Sequence, residues 1–230
     1  MMSNGGFFPE AVETTLSLEL RGVDRGIATG GVVPLELQTD AGTITCRYHE
    51  VARGEAAVVW IGGAGGGLDG PAGGLYPRLA TALATQGIAS LRLSYRYPNQ
   101  LASCVLDTLL GAAYVATQGH VRVALVGHSF GGAVAITAGA LGEEVVAVAA
   151  LSSQAFGTER VPDLSPRPLL LIHGSDDEVL PDICSRDIYH RAREPKEIFL
   201  YPDCRHGLDE CRERLDRDLT QWLRRALAAL

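Results

Sequence analysis

The chain has 230 residues, 47% of them hydrophobic and 20% charged, which is ample material for one large core and argues against disorder. At about 150 residues per domain, a single mid-sized domain is the best fit. Acidic residues outnumber basic ones 27 to 20, and the net charge of -7 repels phosphate backbones and anionic lipid, so neither a nucleic-acid nor a membrane partner is expected.

No apolar run reaches the roughly 18 residues that a bilayer-spanning helix needs. Met1–Glu10 lacks a basic region ahead of an apolar stretch, so no secretory signal is read there. Cysteines at 46, 104, 184, 204 and 211 form an odd set with no Cys-x-x-Cys pair. That usage predicts free thiols in a reducing, cytoplasmic setting and no zinc cage, with a Cys204–Cys211 bridge left open.

Two alternating segments, Thr14–Leu20 and Gly42–Glu50, read as antiparallel strands joined by a Gly-rich turn region with no helix between them. From Val58 onward short apolar runs predict strands at Val58–Ile61, Ile88–Tyr95, Val121–Val126, Val145–Leu151, Pro168–Ile172 and Glu197–Tyr201. Helical spacing fills Leu75–Gln86, Leu101–Gln118, Phe130–Leu141, Asp182–Arg193 and Leu208–Leu230.

Near-continuous apolar strands separated by helices indicate strands buried on both faces. The predicted fold is therefore α/β: a mostly parallel sheet of about eight strands, an antiparallel N-terminal edge, and helices on both faces. Residues 1–230 form one domain, with edge strands in 1–56 and the parallel core in 57–230. Right-handed crossovers then gather the strand C-termini along one edge, where ligands bind in such sheets. The connection Gln154–Arg167 carries Gly157, Pro162 and Pro166 and leaves no room for a large cap.

Between a predicted strand and a predicted helix lies Gly127-His128-Ser129-Phe130-Gly131. A strand that turns at once into a helix strains the central residue, and the glycines two before and two after let the backbones approach. Ser129 is then held out of the turn at a helix N-terminus, where developing negative charge is favoured. A serine hydroxyl needs a base to remove its proton and a carboxylate to orient that base. The strand Pro168–Ile172 runs into His173-Gly174-Ser175-Asp176-Asp177-Glu178, where three acids compete for the second role.

For the base, His206 is the histidine at a late strand end in a Gly-flanked loop. His128 adjoins the nucleophile but points away from it, and His173 is expected to order the acid loop. His49, His120 and His190 are expected to be solvated.

These motifs, Gly127–Gly131, His173-Gly174-x-x-Asp177 and His206-Gly207 in the order Ser, Asp, His, resemble the α/β-hydrolase superfamily from about Val58 to the end of the chain. The resemblance implies Asp177 as the acid, because the family's acid follows His-Gly-x-x. The small, capless form is most similar to dienelactone-hydrolase-like members. Those typically use Cys where this chain has Ser129, so ordinary ester hydrolysis is implied over dienelactone chemistry.

After the strand Val58–Ile61 comes Gly62-Gly63-Ala64-Gly65-Gly66-Gly67-Leu68-Asp69-Gly70, which is similar to the family's oxyanion loop but has Ile61 where His is common. The carbonyl oxygen that becomes an anion during acyl transfer is held by preorganised N–H donors. One is assigned to Phe130 and the other to Gly63 or Ala64, with Ala64 preferred.

Gly65-x-Gly67-x-x-Gly70 also matches a dinucleotide fingerprint, but Pro71-Ala72-Gly73-Gly74 delays the helix that should begin at once. The expected activity is therefore hydrolysis of a small-molecule carboxylic ester by Ser129, His206 and Asp177, with no metal or organic cofactor. A thioesterase or acyltransferase on the same residues, and a non-catalytic binding protein of the same fold, are the alternatives.

Overall fold

A computed structural model describes residues 17–228. Along the chain the elements are β1 (Leu20–Arg25), β2 (Val32–Thr39), β3 (Gly42–His49), β4 (Ala56–Ile61), α1 (Pro71–Ala84), β5 (Ile88–Ser94), α2 (Leu101–Thr117) and β6 (Arg122–His128). There follow α3 (Phe130–Leu141), β7 (Val145–Leu151), β8 (Leu169–Gly174), α4 (Ile183–Arg191), β9 (Lys196–Tyr201) and α5 (Arg212–Ala226). The strands form one nine-stranded sheet in the order β1-β2-β3-β5-β4-β6-β7-β8-β9. Pairs from β1 to β3, and β3 with β5, are antiparallel, and every pair beyond them is parallel.

Burial follows from that order. Strands β4 and β8, covered on both faces, are buried at every residue, so their runs carry no polar alternation. One face packs Leu91, Leu93, Val123, Leu125 and Val148 under α2, α3 and α4, while the other packs Val58, Trp60, Val126 and Leu170 under α1 and α5. Helix α5 buries Leu215, Leu219, Trp222 and Leu223, a stripe at helical spacing, and turns its arginines outward. In α1, Ala72, Gly73 and Gly74 take left-handed angles (φ 51, 58 and 87), so regular helix begins at Leu75 as the sequence predicts.

The N-terminal edge departs from expectation. Of Thr14–Leu20, residues 14–16 lie outside the described region, residues 17–19 are not in a strand, and β1 starts at Leu20. Strand β2 was not anticipated, although Val33, Leu35 and Leu37 alternate with Pro34 and Glu36 as a strand buried on one face requires. His49 and His120 are each 3% exposed and not solvated. His120 donates from Nδ1 to the Gly54 carbonyl at 2.8 Å and accepts the Tyr48 hydroxyl at 2.7 Å, while His49 accepts Arg92 Nε–H at 3.2 Å. All described cysteines are free thiols, so the Cys204–Cys211 bridge is not formed.

Sheet register sets the heights of the loops. Ile61 pairs with Gly127, Gly127 with Ala150, Leu151 with Ile172, and Gly174 with Tyr201. The chain therefore leaves β4, β6, β7, β8 and β9 at nearly one level, and the loops that follow share one rim. Between β7 and β8 a single 3₁₀ turn, Val161–Leu164, is the regular structure present, so this connection puts no cap over that rim.

Candidate active site

Ser129 sits between β6 and α3 at φ 58 and ψ -122, a conformation that typically costs a non-glycine residue about 1–3 kcal/mol. Its surroundings hold it there. A Cβ at Gly127 would collide with the Gly131 carbonyl, and one at Gly131 with the Gly62 carbonyl, so both glycines are required by contact. The Ser129 N–H donates to the Leu151 carbonyl at 2.8 Å, tying the turn to the neighbouring strand. The described non-glycine residues with positive φ are Ala72, Asn99, Ser129, Ser152, Asp203 and Leu208, all in segments after the C-termini of core strands. Backbone strain is concentrated on the rim that carries Ser129.

His206 comes from the loop after β9 and reaches back across two strands. Its Nε2 lies 3.1 Å from Ser129 Oγ, and its Nδ1 lies 2.8 Å from Asp177 Oδ2. A carboxylate only accepts, so Nδ1 carries the proton and Nε2 is free to accept the serine hydroxyl. Asp177, from the loop after β8, has a fully buried side chain. Its other oxygen, Oδ1, accepts the N–H groups of Val179 and Leu180 at 2.9 and 2.8 Å. Burial alone raises this carboxyl's pKa, but the Leu180 N–H, the His206 ring and the Val179 N–H outweigh it and hold it below the ordinary value. Asp176 and Glu178, its neighbours in sequence, are exposed.

Two further imidazoles brace the arrangement. His173 donates from Nε2 to the Leu180 carbonyl at 2.8 Å, with Asp177 Oδ2 at 3.1 Å, and accepts Ser185 Oγ–H on Nδ1 at 2.7 Å. It orders the acid loop as expected. The Nε2–H of His128 donates to the His206 carbonyl at 2.9 Å, with the two rings 4.9 Å apart. Burial lowers the His128 pKa to about 4, so a neutral ring lies beside His206 at neutral pH. Sequence alone gives His128 no task, because the contact depends on a loop 78 residues away.

The first loop lies directly across from Ser129. A Cβ on Gly63 would stand 3.7 Å from Ser129 Cβ, which places this backbone against the nucleophile. Gly63 and Gly66 form an isolated antiparallel bridge, with Gly66 N–H on the Gly63 carbonyl at 2.9 Å, and Ala64 stands exposed at the tip. Phe130 opens α3, where an N–H has no intrahelical partner. Among the described residues, no protein acceptor takes the N–H of Phe130, Gly63 or Ala64. Large apolar side chains ring the same edge: Tyr97 after β5, Phe156 after β7, and Val179 and Ile183 after β8 are 45%, 79%, 60% and 60% exposed.

A mostly parallel sheet with antiparallel N-terminal strands, carrying a strained serine at a strand–helix turn and a histidine and a buried carboxylate after two later strands, has the α/β-hydrolase fold. Among solved structures, a dienelactone hydrolase from Anabaena variabilis superposes at TM-score 0.73, with 17% identity, 85% of this chain and 99% of that chain covered. An α/β serine hydrolase without lid from Xanthomonas campestris gives 0.68 at 20% identity, covering 89% and 99%. The esterase domain of a Rhodothermus marinus protein gives 0.69 at 18% identity, covering 84% and 98%.

No family model matches the chain. The uncharacterized protein YfhR of Escherichia coli is 46% identical over 50 residues, which is 22% of this chain and 18% of YfhR. The chain thus matches less than a fifth of that relative's length. No helix among the described residues is long and apolar enough to cross a membrane.

Proposed function

We propose that the protein is a serine hydrolase that cleaves small carboxylic esters through an acyl-enzyme. One observation carries this reading: the unbroken chain from Ser129 Oγ to His206 Nε2 at 3.1 Å and from His206 Nδ1 to Asp177 Oδ2 at 2.8 Å. His206 removes the hydroxyl proton as Ser129 attacks the ester carbonyl, then delivers it to the departing alcohol. Asp177, held below its ordinary pKa, keeps the Nδ1–H tautomer and balances the imidazolium that forms. The carbonyl oxygen, negatively charged at that stage, lies between the N–H groups of Phe130 and Ala64 at the head of α3. Water then repeats the sequence on the acyl-enzyme and releases the acid.

The substrate side follows from the rim. With no cap between β7 and β8 and with Tyr97, Phe156, Val179 and Ile183 exposed, an acyl group is held shallowly against apolar surface. Short acyl chains fit such a surface better than long ones, whose far methylenes gain no further burial.

The test is a panel of aryl esters of varied acyl length beside a fluorophosphonate probe, run on wild type and Ser129→Ala. Activity and labelling that both vanish in Ser129→Ala support the reading, and turnover or labelling that persists overturns it. A markedly higher kcat/KM for long-chain esters refutes the substrate assignment alone.

A further inference from the structure

Where β4 leaves the sheet, three successive carbonyls are each held by a different donor. The Tyr76 hydroxyl donates to Ile61 O at 2.8 Å, the Tyr95 hydroxyl to Gly62 O at 2.9 Å, and the Gly66 N–H to Gly63 O at 2.9 Å. The two phenols come from opposite faces of the sheet, Tyr76 from the core under α1 and α5, Tyr95 from the core under α2 and α3. They are 0% and 5% exposed, and burial raises both hydroxyls well above their ordinary pKa, so each is a fixed neutral donor.

In a trans peptide the C=O of one residue and the N–H of the next point opposite ways. A pinned carbonyl therefore aims the N–H behind it. Tyr95 thereby aims the Gly63 N–H, one of the two first-loop donors; the Ala64 N–H belongs to the next peptide, whose carbonyl the Gly66 N–H holds. Its ring also meets Phe130 edge-on, with centroids 6.2 Å apart and planes at 87°. Phe130 carries the other free donor, so a single side chain touches both sides of the anion site. The Gly62 carbonyl also packs where a Cβ of Gly131 would stand, which joins the loop to the serine turn.

We propose that Tyr95 is a positioning residue that sets the separation and direction of the Phe130 N–H and the first-loop N–H donors, that of Gly63 directly through the Gly62 carbonyl and that of Ala64 through the adjoining peptide, with the Phe130 ring as its second contact. This rests on the serine-hydrolase reading. Tyr95 touches no reacting atom, and its effect is confined to the transition state, where the carbonyl oxygen becomes charged.

The experiment compares Tyr95→Phe with wild type on a short-chain aryl ester and its matched thionoester, whose larger, weakly accepting sulfur fits the donors poorly. Removing an oxyanion donor outright typically costs a factor of 100 to 1000, and misaiming one costs less. Tyr95→Phe is expected to lower kcat roughly tenfold with KM within about twofold, while the preference for ester over thionoester narrows by a similar factor. The pH dependence of kcat/KM stays that of wild type, because the His206–Asp177 pair is untouched.

Tyr76→Phe, whose hydroxyl acts one peptide further from the donor, serves as the comparison. It is expected to lower Tm comparably while narrowing the ratio roughly threefold less. Wild-type kcat and ratio in Tyr95→Phe, with Ser129→Ala inactive, overturn the role of Tyr95 alone. Persistent activity in Ser129→Ala overturns the parent reading instead. Should Tyr95→Phe fail to fold, Phe130→Leu removes the ring contact and keeps both N–H groups, and an unchanged ratio in that variant overturns the proposal.

Discussion

Replacing Asp177 by Asn exchanges one carboxylate oxygen for an NH2 group and leaves the side chain's shape unchanged. The surroundings dictate how the amide settles. The Val179 and Leu180 N–H groups, at 2.9 and 2.8 Å from Oδ1, both require an acceptor, so the amide oxygen stays on that side. The NH2 then occupies the Oδ2 position and faces His206 Nδ1 at 2.8 Å. It donates to that nitrogen, which moves the imidazole proton to Nε2. An Nε2–H pointing at Ser129 Oγ across 3.1 Å is a donor and accepts no proton, so the base is lost.

A wrong tautomer of this kind typically lowers kcat about 10⁴-fold, or roughly 5 kcal/mol of barrier. The same NH2 also meets His173 Nε2–H at 3.1 Å, a donor facing a donor, worth about 1–3 kcal/mol of stability. The assay is kcat/KM for a short-chain aryl ester beside a thermal melt. The variant is expected to stay folded, melt a few degrees lower, and lose at least a thousandfold in activity. Activity within tenfold of wild type in a folded Asp177→Asn refutes the argument.

Gly131→Ala forces a methyl against the Gly62 carbonyl, so the serine turn and the first loop separate. A loss of about 3 kcal/mol or more in urea unfolding is expected, with activity abolished even where the protein still folds. Asp107 is fully buried and holds Arg96 through Nε at 2.6 Å and through its N–H at 2.9 Å, fixing the turn after β5. Asp107→Ala strands the Arg96 guanidinium and is expected to cost about 3–5 kcal/mol in the same measurement, a neutral result refuting the pairing's importance.

Burial lowers His49 and His128 to about 4, with Arg92 adding to the effect at His49. Below about 6.5 the unfolded chain protonates both while the folded chain does not, so the unfolded state binds more protons. Stability therefore falls as pH drops from about 6.5 to about 4 and levels off below, by up to roughly 3 kcal/mol per histidine. Urea unfolding at pH 7 and pH 4.5 checks this, and His49→Gln is expected to flatten the slope.

Local periodicity carried much of this structure. Six of the core strands and all five helices stand where apolar runs and helical spacing put them, because burial on two faces or along one stripe writes itself into adjacent residues. The serine turn is equally local: Gly127 and Gly131 are required by contacts within a few residues of Ser129 and by the first loop packed beside them. Strand β2 was legible in Val33, Leu35 and Leu37 but obscured by its Gly-flanked surroundings. His49 and His120 were misjudged because their burial comes from Arg92 and Tyr48, on other strands.

What the chain's order of residues determined by itself was the alternation of strands and helices, the sharp serine turn, and a carboxylate and a histidine at later strand ends. Three neighbouring acids are indistinguishable by spacing. Only the packed sheet turned Asp177 inward onto two backbone N–H groups and left Asp176 and Glu178 in solvent. Only the fold brought His128 under the His206 loop and two phenols onto successive carbonyls of the first loop. The reason is physical: periodicity records which face of an element is buried, whereas the meeting of side chains from β6, β8 and β9 depends on strand register and crossover geometry, which no short window of sequence contains.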